Sequence, residues 1–155
     1  MRKLVLISLT ILSVSVSQAN AQSTSDAELI KQAALDYIEG WYEGNAERME
    51  RALHPELAKR IVRTDASGRS GLGQMSAMTL VQSTRGGGGK NTAKEKQQKD
   101  VTVLDIFGNS ASAKVIASGW VDYMHLAKWN GRWVIVNVLW ELKPVSSQEA
   151  GSRKQ

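Results

Sequence analysis

The chain has 155 residues, a formal charge of +5 and no cysteine, with hydrophobic residues making up 42%. That length fits one domain able to bury a core rather than two, and the lack of cysteine excludes disulfides, thiolate metal sites and a cysteine nucleophile. The basic residues are scattered rather than gathered in one stripe, which speaks against nucleic acid as a partner.

Met1, Arg2 and Lys3 open the chain, and an uncharged run of mostly Leu, Val, Ile and Ser follows from Leu4 to Val16. The run is shorter than the about 20 apolar residues that a membrane span needs. Small residues at Ala19 and Ala21 fit a signal-peptidase site before Gln22, so residues 1–21 read as a secretory signal peptide. Cleavage there leaves 134 residues and lowers the charge to +3, since Arg2 and Lys3 are the only charged residues removed. With no cysteine for lipid attachment, no stable membrane anchor is expected, and the mature domain is expected to be periplasmic or secreted.

Ser25 and Glu28 form a capping box, which places a helix start at Asp26. Ile30, Ala33, Ala34, Tyr37, Ile38 and Trp41 then recur at the spacing of one buried helical face, until Gly44 provides a stop. Asn45 caps a short second helix that turns Ala46, Met49, Ala52 and Leu53 inward and ends at Pro55. Residues 56–63 fit strand or helix equally, and 65–73 read as loop. A third helix is predicted from about Gln74 to Thr84. After it, Gly86–Gly89 and Lys90–Lys99 carry no apolar period, as expected of a flexible connection, or else of a lid.

The last third changes character. Val101–Phe107, Ser110–Gly119, Trp120–Trp129 and Arg132–Leu142 are strand-like, with turn signals at Gly108-Asn109 (type II′) and Asn130-Gly131. Residues 145–155 read as a disordered tail, so the domain spans 22–144. Helices first and an antiparallel meander after them predict an α+β fold, with the helices packed on one face of a curved sheet.

A two-residue Asn130-Gly131 turn sets a register in which Trp129 opposes Arg132 and Lys128 opposes Trp133. One face then carries Trp120, Asp122, Met124, Leu126, Trp133, Ile135, Asn137, Leu139 and Glu141. The other carries Val121, Tyr123, His125, Ala127, Val134, Val136, Val138 and Trp140. Both are largely apolar, which is unusual for an antiparallel sheet with one wet side. The first face is expected to line a cavity and the second to form a homodimer contact. In the preceding hairpin, Leu104, Ile106, Ala111, Ala113 and Val115 are expected inside.

The run Tyr37-Ile38-Glu39-Gly40-Trp41-Tyr42-Glu43-Gly44-Asn45, with Arg48-Met49, Ala52-Leu53-His54-Pro55 and Lys59-Arg60, resembles the putative lumazine-binding family of the nuclear transport factor 2-like superfamily. The segments Asp122–Leu126 and Trp133–Glu141 are similar to the same family, so the resemblance extends over residues 27–143. It implies a cone-shaped α+β barrel, a bent sheet around a long first helix with a pocket at the open end, and frequent dimers through the outer sheet face. It implies no settled activity, because the superfamily includes isomerases, dehydratases, cyclases and non-catalytic binders.

The candidate ligand-binding residues are Tyr37, Trp41, Asp122, Asn137 and Leu139. Tyr37 and Trp41, one turn apart, line a pocket or simply pack in the core. Asp122, with Asn137 or Tyr37 stabilising an oxyanion, is a candidate proton-transfer base or else a structural carboxylate. His54 is a second candidate acid or base, or a cap on a helix end. His54 and His125 lie too far apart in sequence to form a metal motif. The Gly89-Lys90 run fails the phosphate-loop spacing, with Thr84 and Asn91 where Gly and Ser or Thr belong. No cofactor or metal is expected. The leading functional reading is an exported binder of a small, partly aromatic molecule; an isomerase or dehydratase and a protein-interaction domain are the alternatives.

Overall fold

The structure is a computed structural model that describes residues 11–144, with side chains from Asp26 onward. The basic start of the expected signal peptide and the tail 145–155 lie outside the described residues. Three helices, α1 (Ile11–Glu43), α2 (Ala46–Ala52) and α3 (Ala77–Arg85), accompany six strands. These are β1 (Leu53–Thr64), β2 (Ser70–Ser76), β3 (Lys99–Phe107), β4 (Ser110–Ala117), β5 (Trp120–Trp129) and β6 (Arg132–Leu142). The strands form one curved sheet in the order β2-β1-β6-β5-β4-β3. Every pairing is antiparallel except β1 with β6. With β2 and β3 as edges the sheet is open rather than a closed barrel, and the helices pack on its concave side.

Helix α1 turns Ile30, Ala33, Ala34, Tyr37 and Ile38 into the core, as their spacing predicts. Because α1 begins at Ile11, Ser25 lies within the helix of the full chain and does not start it. Its other end is a Schellman motif: Gly44, at φ +65°, donates to the Trp41 carbonyl, and Asn45 donates to that of Gly40. Asn45 then caps α2 by accepting the Arg48 N–H at 3.0 Å. The Arg48 guanidinium reaches back to Asp36, Glu39 and Glu43 and ties the two helices together.

The undecided stretch after Pro55 is strand. Leu57, Lys59 and Ile61 alternate inward along β1, and the partners of β1 in the sheet supply its hydrogen bonds. The expected loop shrinks to a turn at 65–69, because Ser70–Ser76 pair with β1 as β2. Helix α3 starts later than predicted, at Ala77, where Ser76 accepts the Thr79 N–H as N-cap.

The glycine segment departs furthest from expectation. Gly89 is buried and donates to the Trp41 carbonyl, while Gly88 runs against the indole of the same residue. A Cβ on Gly89 would stand 2.5 Å from the Trp41 Nε1. Gly88 and Gly89 are needed where the backbone meets the Trp41 ring, and Gly87 (φ +121°) and Gly88 (φ +48°) also hold backbone angles that favour glycine.

Both hairpins have their two-residue turns. Phe107 pairs with Ser110 around Gly108 (φ +56°), and Trp129 pairs with Arg132 around Asn130 (φ +49°) and Gly131 (φ +79°), the type I′ signature. Further along, each hairpin contains a β-bulge. Leu126 pairs with Ile135 in the simple register, but His125 pairs with Asn137, so Val136 is the extra residue. Beyond it every side chain of β6 changes face relative to β5. Val138 and Trp140 face inward opposite Met124 and Asp122, while Asn137 and Leu139 face outward with His125 and Tyr123. The expected inward placement of Asn137 and Leu139, and outward placement of Val138 and Trp140, is therefore corrected. A second bulge at Leu104 leaves that residue 51% exposed, against its expected burial, while Val103 and Ile106 pack on the core.

Candidate functional site

Asp122 is fully buried, one of four buried polar or charged side chains among the described residues. An isolated carboxylate in that position is costly, so its partners are decisive. Lys59, facing inward from β1, forms a salt bridge with it and is itself only 3% exposed. The Tyr37 hydroxyl, from α1, accepts from Lys59 Nζ at 2.6 Å and donates to Asp122 Oδ2 at 3.2 Å. Trp120 Nε1 donates to the same oxygen at 2.7 Å. Three donors thus converge on the carboxylate. Lys59 Nζ also sits 4.7 Å from the ring centroid of Trp140 and 5.3 Å from that of Tyr37, within cation–π range of both.

Burial lowers the Lys59 pKa from its ordinary value, and Asp122 opposes that shift without cancelling it. Burial pushes the Tyr37 hydroxyl well above its usual range, and the Asp122 charge pushes it further in the same direction. At neutral pH, Tyr37 is accordingly a donor to the carboxylate and not a phenolate.

This cluster backs an apolar cavity of about 230 Å³. Tyr37 and Trp41 from α1 line it, with Lys59, Met75, Leu80, Trp120 and Trp140, and with Ser83 and Leu142 at its rim. Trp41 and Trp120 meet edge to face, with centroids 6.2 Å apart. Gly88 and Gly89 support Trp41 from outside the cavity, so the segment expected to be a loose connection buttresses one wall. Trp140 Nε1 is buried and without a hydrogen-bond partner among the described residues. A larger depression of about 520 Å³ beside α3 is lined by exposed Glu50, Arg85 and Arg132 and holds no buried polar group, so it has less of the character of a ligand site.

Of the residues singled out in the sequence, Tyr37 and Trp41 line the cavity and Asp122 lies directly behind Lys59. Asn137 and Leu139 do not. Asn137 accepts from Arg60 on the outer face, near His125, and Leu139 is half-exposed there. His54 is neither in the cavity nor a cap on a helix carbonyl. Its Nδ1 accepts the Glu56 N–H at 3.1 Å, and its ring meets the edge of Trp129 at 4.8 Å. Lys59 is the central residue that sequence reasoning missed. A lysine between Leu57 and Ile61 on an inward-facing alternation would have exposed it, had that stretch been read as strand.

The sequence profile of the family described as putative lumazine-binding matches residues 25–141. The chain belongs to that family. Solved structures agree on the fold. A nuclear transport factor 2-like protein of unknown function from Shewanella baltica is 19% identical, with 79% of this chain and 97% of that one covered at a TM-score of 0.59. One from Methylobacillus flagellatus is 23% identical, with coverages of 77% and 94% and a TM-score of 0.60. A nuclear transport factor 2-like protein with a cystatin-like fold from Novosphingobium aromaticivorans is 14% identical, with coverages of 97% and 99% and a TM-score of 0.58. No curated protein matches this chain. At these identities the likeness establishes the fold, and the chemistry has to be argued from this chain's own side chains.

Proposed function

We propose that this member of the putative lumazine-binding family is an exported domain that holds a small, partly aromatic organic molecule in the cavity bounded by Tyr37, Trp41, Trp120 and Trp140. The observation that carries the reading is an aromatic-walled cavity with one charged residue in its lining, Lys59, whose charge is already balanced by Asp122 behind it. Such a site binds by ring contact and shape, with few polar groups to set orientation.

The alternative of an isomerase or dehydratase with Asp122 as base is less well supported. Its carboxylate is enclosed and held by Lys59, Tyr37 and Trp120, an arrangement suited to fixing side chains rather than to exchanging protons with a substrate. A protein-interaction domain with a vestigial pocket would have its hollow filled. Export rests on Arg2 and Lys3, the apolar run after them, and the small residues Ala19 and Ala21. A homodimer through the outer sheet face is part of the same proposal, supported by the exposed Val62, Leu72, Tyr123 and Leu139 on that face.

Native mass spectrometry of the purified protein, followed by denaturation and identification of whatever is released, tests the reading. A bound small organic molecule, with quenching of tryptophan fluorescence when it is added back, is the expected result. Add-back that leaves the fluorescence of the cavity tryptophans unchanged would overturn it.

A further inference from the structure

The outer sheet face carries a polar row that crosses it from edge to edge. Asp105 on β3 pairs with Ser112 on β4, Ser112 with His125 on β5, and His125 with Asn137 on β6. Arg60 on β1 continues the row: its Nη1 donates to Asn137 Oδ1 at 3.0 Å and its Nε to Gln74 Oε1 of β2 at 3.1 Å. Resting on the reading that two copies of the chain meet through this face, we propose that their two-fold axis runs close to β5 at His125, so that Asp105 of each copy meets the partner's Arg60.

The layout of the row supports this. Neighbouring strands stand about 4.8 Å apart, so β3 and β1 lie about 10 Å to either side of β5, with the carboxylate on one side and the guanidinium on the other. A two-fold contact is self-complementary, each residue meeting the counterpart of the one that meets it. A half-turn about β5 lays the row on its own copy in reverse order. Ser112 then faces Asn137, two groups able to hydrogen-bond, and His125 faces its copy ring to ring. A half-turn about the row itself would instead set Asp105 on Asp105 and Arg60 on Arg60, and like charges across an interface are costly. Of the two ways that keep the rows in register, charge selects the first.

Both ends of the row are also incomplete within one protomer. Among the described residues, no hydrogen bond or ion pair engages the exposed Asp105 carboxylate, and the Nη2 group of Arg60 donates to no side chain. A guanidinium has five N–H donors, so Nη2 is left for a carboxylate brought by the second copy. The curved sheet falls away from a facing copy toward its edges. A long arginine side chain can span that widening gap, whereas the shorter groups of the row sit nearer the axis. Tyr123 and Leu139, each about half-exposed on the same face, supply apolar area for such a contact to bury.

Sedimentation equilibrium of the purified protein tests the arrangement with Asp105→Arg and Arg60→Glu. Each variant alone sets like charges together at both ends of the contact, and its dissociation constant is expected to rise at least about tenfold over wild type. Mixed in equal amounts, the two variants should form a heterodimer within about threefold of wild-type affinity, because opposite charges then meet at both ends. Mixing cannot repair a fault inside one protomer, so recovery separates the contact from a local structural effect. Variants that dimerise as wild type does, or that mixing does not restore, would overturn the proposed axis and leave the dimer itself standing. A wild-type protein that stays monomeric would overturn both. Should Arg60→Glu fail to fold, Asp105→Arg decides alone: it stands at an exposed position with no side-chain contact to lose, so an unchanged dissociation constant sinks the proposal and the expected rise supports it.

Discussion

Replacing Lys59 by methionine keeps most of the side-chain volume and removes the charge, leaving the Asp122 carboxyl at zero exposure with only Tyr37 and Trp120 as donors. Removing one member of a buried ion pair costs about 3–5 kcal/mol, because the desolvation of the survivor is no longer offset. A domain of this size is stabilised by about 5–15 kcal/mol in total, so the variant should be severely weakened yet still foldable near room temperature. At about 4 °C per kcal/mol the melting temperature should fall by about 12–20 °C. Urea denaturation of wild type, Lys59→Met, Asp122→Asn and the double variant provides the cycle. Relieved of the unpaired carboxylate, the double variant should recover at least about 2 kcal/mol relative to the sum of the single losses. A cost below about 1 kcal/mol for Lys59→Met, or additive single losses, would show that the two groups do not depend on each other and would refute the account of the site.

Other expectations follow from equally local features. Gly89→Ala places a methyl group against the Trp41 indole and the Tyr42 ring, and overpacking of this kind costs about 1–3 kcal/mol; chemical denaturation measures it, and the displaced Trp41 should alter the fluorescence spectrum of the folded protein. The Tyr37 pKa is raised in the folded state, so its contribution to stability is complete below the ordinary tyrosine value near 10 and is lost as pH rises through the higher folded value. Absorbance titration at alkaline pH should accordingly show Tyr37 ionising late, in step with unfolding, and Tyr37→Phe should abolish that late component. Arg48→Ala breaks the contacts with Asp36, Glu39 and Glu43 that join α1 to α2; a loss of about 1 kcal/mol is expected for a partly exposed network, diminishing in high salt.

The helical face of α1, its Gly44 stop, the Asn45 cap and both hairpin turns were legible in the sequence because each depends on interactions a few residues apart. Apolar spacing shows which side of a helix is buried, and a glycine or an Asn-Gly pair marks where the backbone needs positive φ. Strand β1 was not legible, since its inward row of Leu57, Lys59 and Ile61 is interrupted by a charge that makes sense only beside Asp122, 63 residues later. The same long-range partnership hid Lys59 from any motif search. The glycines at 88 and 89 were misread for a related reason: poverty in side chains looks like flexibility unless the ring of Trp41 that they accommodate is known. Asn137, Leu139 and Leu104 were misassigned because alternation was carried unbroken past a bulge, and no residue type announces a bulge as glycine announces a turn.

The bulge at Val136 takes up one surplus residue without altering which side chains of β6 reach the interior. Loss of that single codon would straighten the ladder and keep His125 opposite Asn137 and Met124 opposite Val138. Indole and valine would stay in the hollow, and the amide and the leucine outside it. Relatives shorter by one residue at this position would present the same interior on a straighter strand, so a gap in an alignment here says less about the hollow than a substitution at Val138 or Trp140 does.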